Sequence, residues 1–156
     1  MDRMQDAADN LRRHRLYWSG FFMIGLPTET AEDIDMTIAL MRRLKPNYAT
    51  FSIFTPYPGT ELYDVLLRQG LVSQKIEWHF YNHQSRNNNF TGVMRDEEFG
   101  KIVDYALKVF DSYNNRLGNI LMRGLSRTTV YIHNPVEFLR DIKRYINYAG
   151  IFQERN

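Results

Sequence analysis

The chain contains no cysteine. That excludes disulfides, and it excludes thiolate ligation of a metal or an iron–sulfur cluster by these residues. No stretch approaches the length of a membrane span, and no secretory signal pattern precedes the first helix. Together these absences suit a cytoplasmic protein. Charge is nearly balanced, at a formal net +2. The one basic cluster, Arg12-Arg13-His14-Arg15, reads as a solvated helix end where cations offset the dipole. No recognition-helix or RNP pattern accompanies it, which argues against nucleic acid as a partner. There is no phosphate-binding P-loop and no serine nucleophile elbow. No carboxylate pair is placed for acid–base work. Glu32 and Asp33, like Asp96, Glu97 and Glu98, sit where a helix start favours acids.

What is present is an ordered alternation of apolar runs and breaks. Met4, Ala7, Ala8 and Leu11 follow helical spacing. Leu16 to Ile24 is apolar on both faces, as a strand covered on both sides would be. Gly25 and Pro27 end it. Thr30 suits an N-cap, and Ile34, Thr37, Ile38, Met41 and Leu44 then make one helix face, stopped by Pro46. Tyr48 to Thr55 is a second strand, rich in aromatic and β-branched residues. Pro56, Pro58 and Gly59 break it, and Thr60 caps a short helix ended by Gly70. The order strand, turn, helix, strand is one βαβ unit, with parallel strands expected. In such units the carboxyl ends of the strands are where ligands bind.

The remainder reads as mostly helical. Residues from Leu71 to Arg95 are the least regular, and Arg86 to Asn89 reads as an exposed loop. A long helix opens at Asp96, with Phe99, Ile102, Val103, Ala106, Val109, Phe110 and Tyr113 on one side. It either continues or breaks and resumes through Leu121, with Gly124 as a stop. Asn134-Pro135-Val136-Glu137 is a further helix start.

The two turns carry a family resemblance. Gly25-Leu26-Pro27-Thr28-Glu29-Thr30 and Pro56-Tyr57-Pro58-Gly59-Thr60 resemble the fifth and sixth strand ends of radical S-adenosylmethionine enzymes, especially the cobalamin-binding and methylthiotransferase branches. Thr28 stands where those relatives place glycine, and Glu29 falls one residue beyond the motif glutamate. The resemblance implies an α/β fold. Residues 1–70 would supply two βα units from the C-terminal portion of a partial (β/α)6 TIM-like barrel, and residues 71–156 a mostly helical extension. It also implies a parent enzyme that binds S-adenosylmethionine beside a [4Fe–4S] cluster, with cobalamin an option. The cluster ligands are absent here, so this chain alone would be inactive, and its partner would be the missing N-terminal half of the barrel. As cofactor-contacting residues the resemblance implies Met23, Ile24 and Gly25 at the first turn and Phe54, Thr55 and Tyr57 at the second. Met23 or Ile24 would pack on adenine, and Gly25 would let the backbone approach closely. Local structure accounts for the same residues without a ligand, as a strand-to-helix turn and a rigid Pro-Gly turn.

Three further readings stay open. Trp78, His79, Phe80, Tyr81 and His83 form an aromatic cluster. Its two histidines are four apart, which a metal pair would use, but packing of the linker over the barrel mouth explains them more simply. A stand-alone binding or interaction module would use an exposed strand edge instead. A different parallel-barrel enzyme would carry a phosphate site after its last strands. Two strands alone leave an apolar edge and face, so the isolated chain is expected to self-associate.

Overall fold

The structure is a computed structural model that describes residues 2–73 and 85–143. Helix α1 (Asp2–Arg13) leads into strand β1 (Ser19–Ile24), helix α2 (Ala31–Leu44) and strand β2 (Tyr48–Ile53). Helices α3 (Glu61–Arg68), α4 (Asp96–Asn114), α5 (Leu117–Ser126) and α6 (Thr128–His133) follow. Helical backbone resumes over 135–143, directly after Asn134.

The βαβ unit forms as its sequence dictates. β1 and β2 are parallel neighbours, in a register that runs from Ser19 beside Tyr48 to Ile24 beside Ile53. Thr30 caps α2 through its side chain, and Asp33 reaches back to the Thr30 N–H at 2.9 Å, which completes a capping box. Lys45 ends α2 in the left-handed conformation, and Pro46 follows. Asn47 then joins the two strand starts. Its side-chain oxygen accepts from the Trp18 N–H, and its own N–H donates to the Trp18 carbonyl.

One face of the sheet is packed and the other is open. Alternation sends Phe22, Ile24, Phe51 and Ile53 to the same side. There they meet Ile34, Ile38 and Met41 of α2 and Phe99, Val103, Ala106 and Phe110 of α4 in one core. Phe110 lies 5.6 Å from Phe22 and 4.9 Å from Phe51, ring centre to ring centre. On the opposite face Phe21 is 82% exposed and Met23 47%.

The expected portion of a (β/α)6 barrel is therefore not what these residues build. Among the described residues the sheet has only two strands, and the protein is otherwise helical. Barrel closure needs a full set of tilted, staggered strands. Here α4, a helix distant in sequence, covers the one packed face, and nothing described covers the other.

The remaining differences are local. β1 starts at Ser19 rather than Leu16, because β2 begins opposite Ser19 and offers no earlier partner. The long helix breaks after Asn114, where Arg116 is extended, and α5 passes through Gly124 to Ser126. Arg86 to Asn89 is not simply exposed, since Asn88 is buried.

Candidate functional site

The site lies at the carboxyl ends of β1 and β2, where two loops and the start of α4 converge. Gly25 takes a positive φ of 82°. A Cβ there would stand 2.9 Å from the Phe99 ring, so only glycine permits this approach of α4 to the strand end. The turn is then closed by Glu29. Its carboxylate accepts hydrogen bonds from the Gly25 N–H and, at 3.0 Å, from the Leu26 N–H. Glu29 is 9% exposed. Burial raises its pKa above the ordinary glutamate value, and the two backbone donors oppose that rise.

The neighbouring residue Thr28 also has positive φ, at 67°, and its N–H donates to the Thr91 carbonyl at 2.8 Å. Thr91 is buried in a loop organised by Asn89. The Asn89 side chain accepts from the Thr91 N–H and hydroxyl. It donates to the Met94 carbonyl and to Asp96 at 2.8 and 2.9 Å. This loop is thus tied to the β1–α2 turn and to the start of α4. Sequence reasoning assigned it no role, because the tie depends on residues more than sixty positions apart along the chain (Thr28 and Thr91).

The six residues implied by the resemblance divide by strand parity. Met23 faces the open side of the sheet, with Ser52 beside it in register. Phe54 follows two residues after Ser52 and so shares that face. The Phe54 N–H extends the ladder by donating to the Ile24 carbonyl at 2.8 Å. Gly25 contributes backbone only. Tyr57 is exposed in the second turn, and its carbonyl accepts the Thr60 hydroxyl at 2.8 Å. Ile24, by contrast, is fully buried in the core, and Thr55 is buried with its hydroxyl on the Ile53 carbonyl. Met23 and Phe54 therefore share the open side of the sheet end, Tyr57 is exposed in the turn that follows, Gly25 sits against Phe99 of the packed side, and Ile24 and Thr55 are buried. Leu26, exposed at the same turn, and Phe90, edge-on to Phe54 at 6.4 Å, are additions that the sequence did not single out.

No group of three or more metal-ligating side chains occurs among the described residues. The cluster from Trp78 to His83 lies outside them. A shallow groove of about 510 Å3 lies over the start of α4, lined by residues that include Arg86, Glu97, Lys101 and Asp104. Two of its charge pairs neutralise one another, Arg86 on Asp104 at 2.8 Å and Lys101 on Glu97 at 2.7 Å, and the remaining carboxylate of the lining, Asp96, accepts from Asn89 at 2.9 Å. No described helix is long and apolar enough to cross a membrane.

No protein-family model matches the chain. Two curated proteins are similar to it. An uncharacterized methyltransferase of Pyrococcus horikoshii is 37% identical over 76 residues, which cover 49% of this chain and 16% of that protein. The bacteriochlorophyllide d C-8(2)-methyltransferase of Chlorobaculum tepidum is 31% identical over 81 residues, 52% of this chain and 18% of that protein. The chain thus spans less than a fifth of the length of these relatives. Over about half its own length it is similar to methyltransferases.

Proposed function

We propose that this chain is a segment of an S-adenosylmethionine-dependent methyltransferase, and that the carboxyl ends of β1 and β2 contact the adenosyl part of that molecule. The observation that carries the reading is the open end of the sheet. Met23, beside Ser52 in register, and Phe54, two residues further on, share its solvent face. Similarity to two methyltransferases supports the same reading, as does the wording of the two turns.

The residues present fit only part of what such an enzyme needs. An apolar wall at a strand end suits a flat heterocycle. Met23 supplies a polarisable, adaptable surface, and Phe54 a rigid one. A [4Fe–4S] cluster does not fit this chain, which has no cysteine to hold it. If the reaction is of the radical type, as the turns suggest, the cluster ligands stand outside these residues, and cobalamin likewise finds no assigned ligand here. The role of this chain is then to bind and orient, and bond cleavage belongs to the cofactor.

Isothermal titration of the chain with S-adenosylmethionine tests this. Binding that is lost in Met23→Asp and retained in Phe21→Ser supports the strand-end site. Equal binding by wild type and Met23→Asp removes it.

A second reading rests on Phe21. A ring so exposed on an apolar sheet face suits a surface that meets another polypeptide. In that case Phe21→Ser, not Met23→Asp, is the damaging change.

A further inference from the structure

We infer that Phe90 is a ligand-contacting residue of the same site and determines its preference for a planar heterocycle, with Asn89 as its positioning residue. The inference rests on the adenosyl-binding reading above and adds to it a wall that comes from a different part of the chain.

Phe90 lies in a loop well beyond β2 in the sequence, yet that loop is built onto the strand ends. On one side, Asn89 is held by four hydrogen bonds to Thr91, Met94 and Asp96. On the other, Thr91 is 1% exposed, and its carbonyl accepts from Thr28 in the β1–α2 turn. The Thr91 hydroxyl in turn accepts from the Met94 N–H at 3.3 Å. Phe90 is therefore set between two residues with little freedom to move. Its own ring is only partly buried. It meets Phe54 at 88° between ring planes, so the two rings form a corner rather than a stack.

A corner of this kind leaves ring surface unused. Phe51 and Phe110, by contrast, bury one another inside the core. Phe54 and Phe90 instead remain partly buried at the carboxyl end of β2, where the Phe54 N–H still pairs with the Ile24 carbonyl. A flat, weakly polar ligand fits such an arrangement: one ring supplies a face, the other an edge. A flexible aliphatic ligand gains nothing from the right angle. The loop's hydrogen bonds hold the residues on either side of Phe90 before the ligand arrives.

The test is titration of the chain and its variants with S-adenosylmethionine and, separately, with adenosine, with a thermal melt of each variant. Base–aromatic contacts predict that Phe90→Ala weakens both ligands by roughly 5–30-fold. Phe90→Tyr, which keeps the ring, should bind within about twofold of wild type, while Phe90→Leu, which keeps apolar volume without a ring, should resemble Phe90→Ala. Asn89→Ala should weaken binding with Phe90 still present. If Phe90→Ala is too unstable to study, the Tyr and Leu pair decides the matter. Wild-type binding with equal affinity in Phe90→Leu and Phe90→Tyr overturns the inference and leaves the site at Met23 and Phe54 intact. Absence of binding by the wild type overturns both.

Discussion

The side-chain amide of Asn114 brackets the backbone of Ala49 as a neighbouring strand would. Its oxygen accepts from the Ala49 N–H at 2.9 Å, and its nitrogen donates to the Ala49 carbonyl at 2.7 Å. Both residues are buried. One turn of α4 thereby satisfies two backbone groups that a two-stranded sheet would otherwise leave unpaired. Tyr113 adds a bond from its hydroxyl to the Pro46 carbonyl at 2.7 Å, so α4 is fixed to the start of β2 at two points.

Replacing Asn114 with leucine should therefore destabilise the fold out of proportion to its size. Each buried group left without a partner costs roughly 1–3 kcal/mol, so a loss of about 2–4 kcal/mol is expected in urea denaturation. Hydrogen exchange at the Ala49 amide should accelerate in the same variant. An unchanged midpoint would mean that water or another group replaces the amide.

Gly25→Ala should cost about 1–3 kcal/mol, from a left-handed backbone that alanine resists and from contact with Phe99. Phe99→Leu alone opens a cavity and is itself destabilising. The two changes together should cost less than the sum of the single losses, because the smaller side chain makes room for the new methyl. Additive losses in a double-mutant cycle would show that the close approach is not the constraint.

Glu29 predicts a pH dependence whose sign follows from burial. Its pKa is raised in the folded state, so the folded protein favours the protonated carboxyl, and that contribution is fully present below the ordinary value of 4.5. It is lost as pH rises through the raised value, with Asp33 nearby adding to the cost of the charge. Wild type should thus lose stability relative to Glu29→Gln as pH rises from about 4 toward neutrality. Parallel curves for the two proteins would indicate that the Gly25 and Leu26 donors fully offset desolvation.

Self-association is expected from two surfaces. The open sheet face carries Phe21, and α5 has no buried residue and exposes Leu117, Leu121 and Leu125 at four-residue intervals. Burial of even a few hundred Å2 contributes on the order of several kcal/mol at about 25 cal/mol per Å2. Sedimentation over a concentration series should show mass above that of one chain, reduced by Phe21→Lys or Leu121→Lys. A monomer at all concentrations, with a melt independent of concentration, would contradict this.

Much of the βαβ unit was legible because its signals are local. Thr30 with Asp33, Pro46, and the glycine of the first turn each fix a boundary within a few residues. Parity was not legible. Leu16 to Ile24 is apolar on both sides, so nothing in its pattern told which of Met23 and Ile24 would meet solvent. That was decided by α4, whose Phe99 and Phe110 cover the Ile24 side. The Asn114 bracket and the Asn89 loop were equally hidden, because each joins residues far apart in sequence. The barrel expected from the two turns failed for a related reason. Turn wording reports how a strand ends, and not how many strands stand beside it.

The most direct test of the central claim is the methyl NMR signal of Met23, assigned by its absence in Met23→Leu, followed during addition of S-adenosylmethionine. A ligand seated at the strand ends against Met23 and Phe54 should shift that signal saturably, through the ring current of the adenine, while the buried Met41 of α2 stays in place. Saturable binding with no change at Met23 would contradict the account, as would an absence of binding.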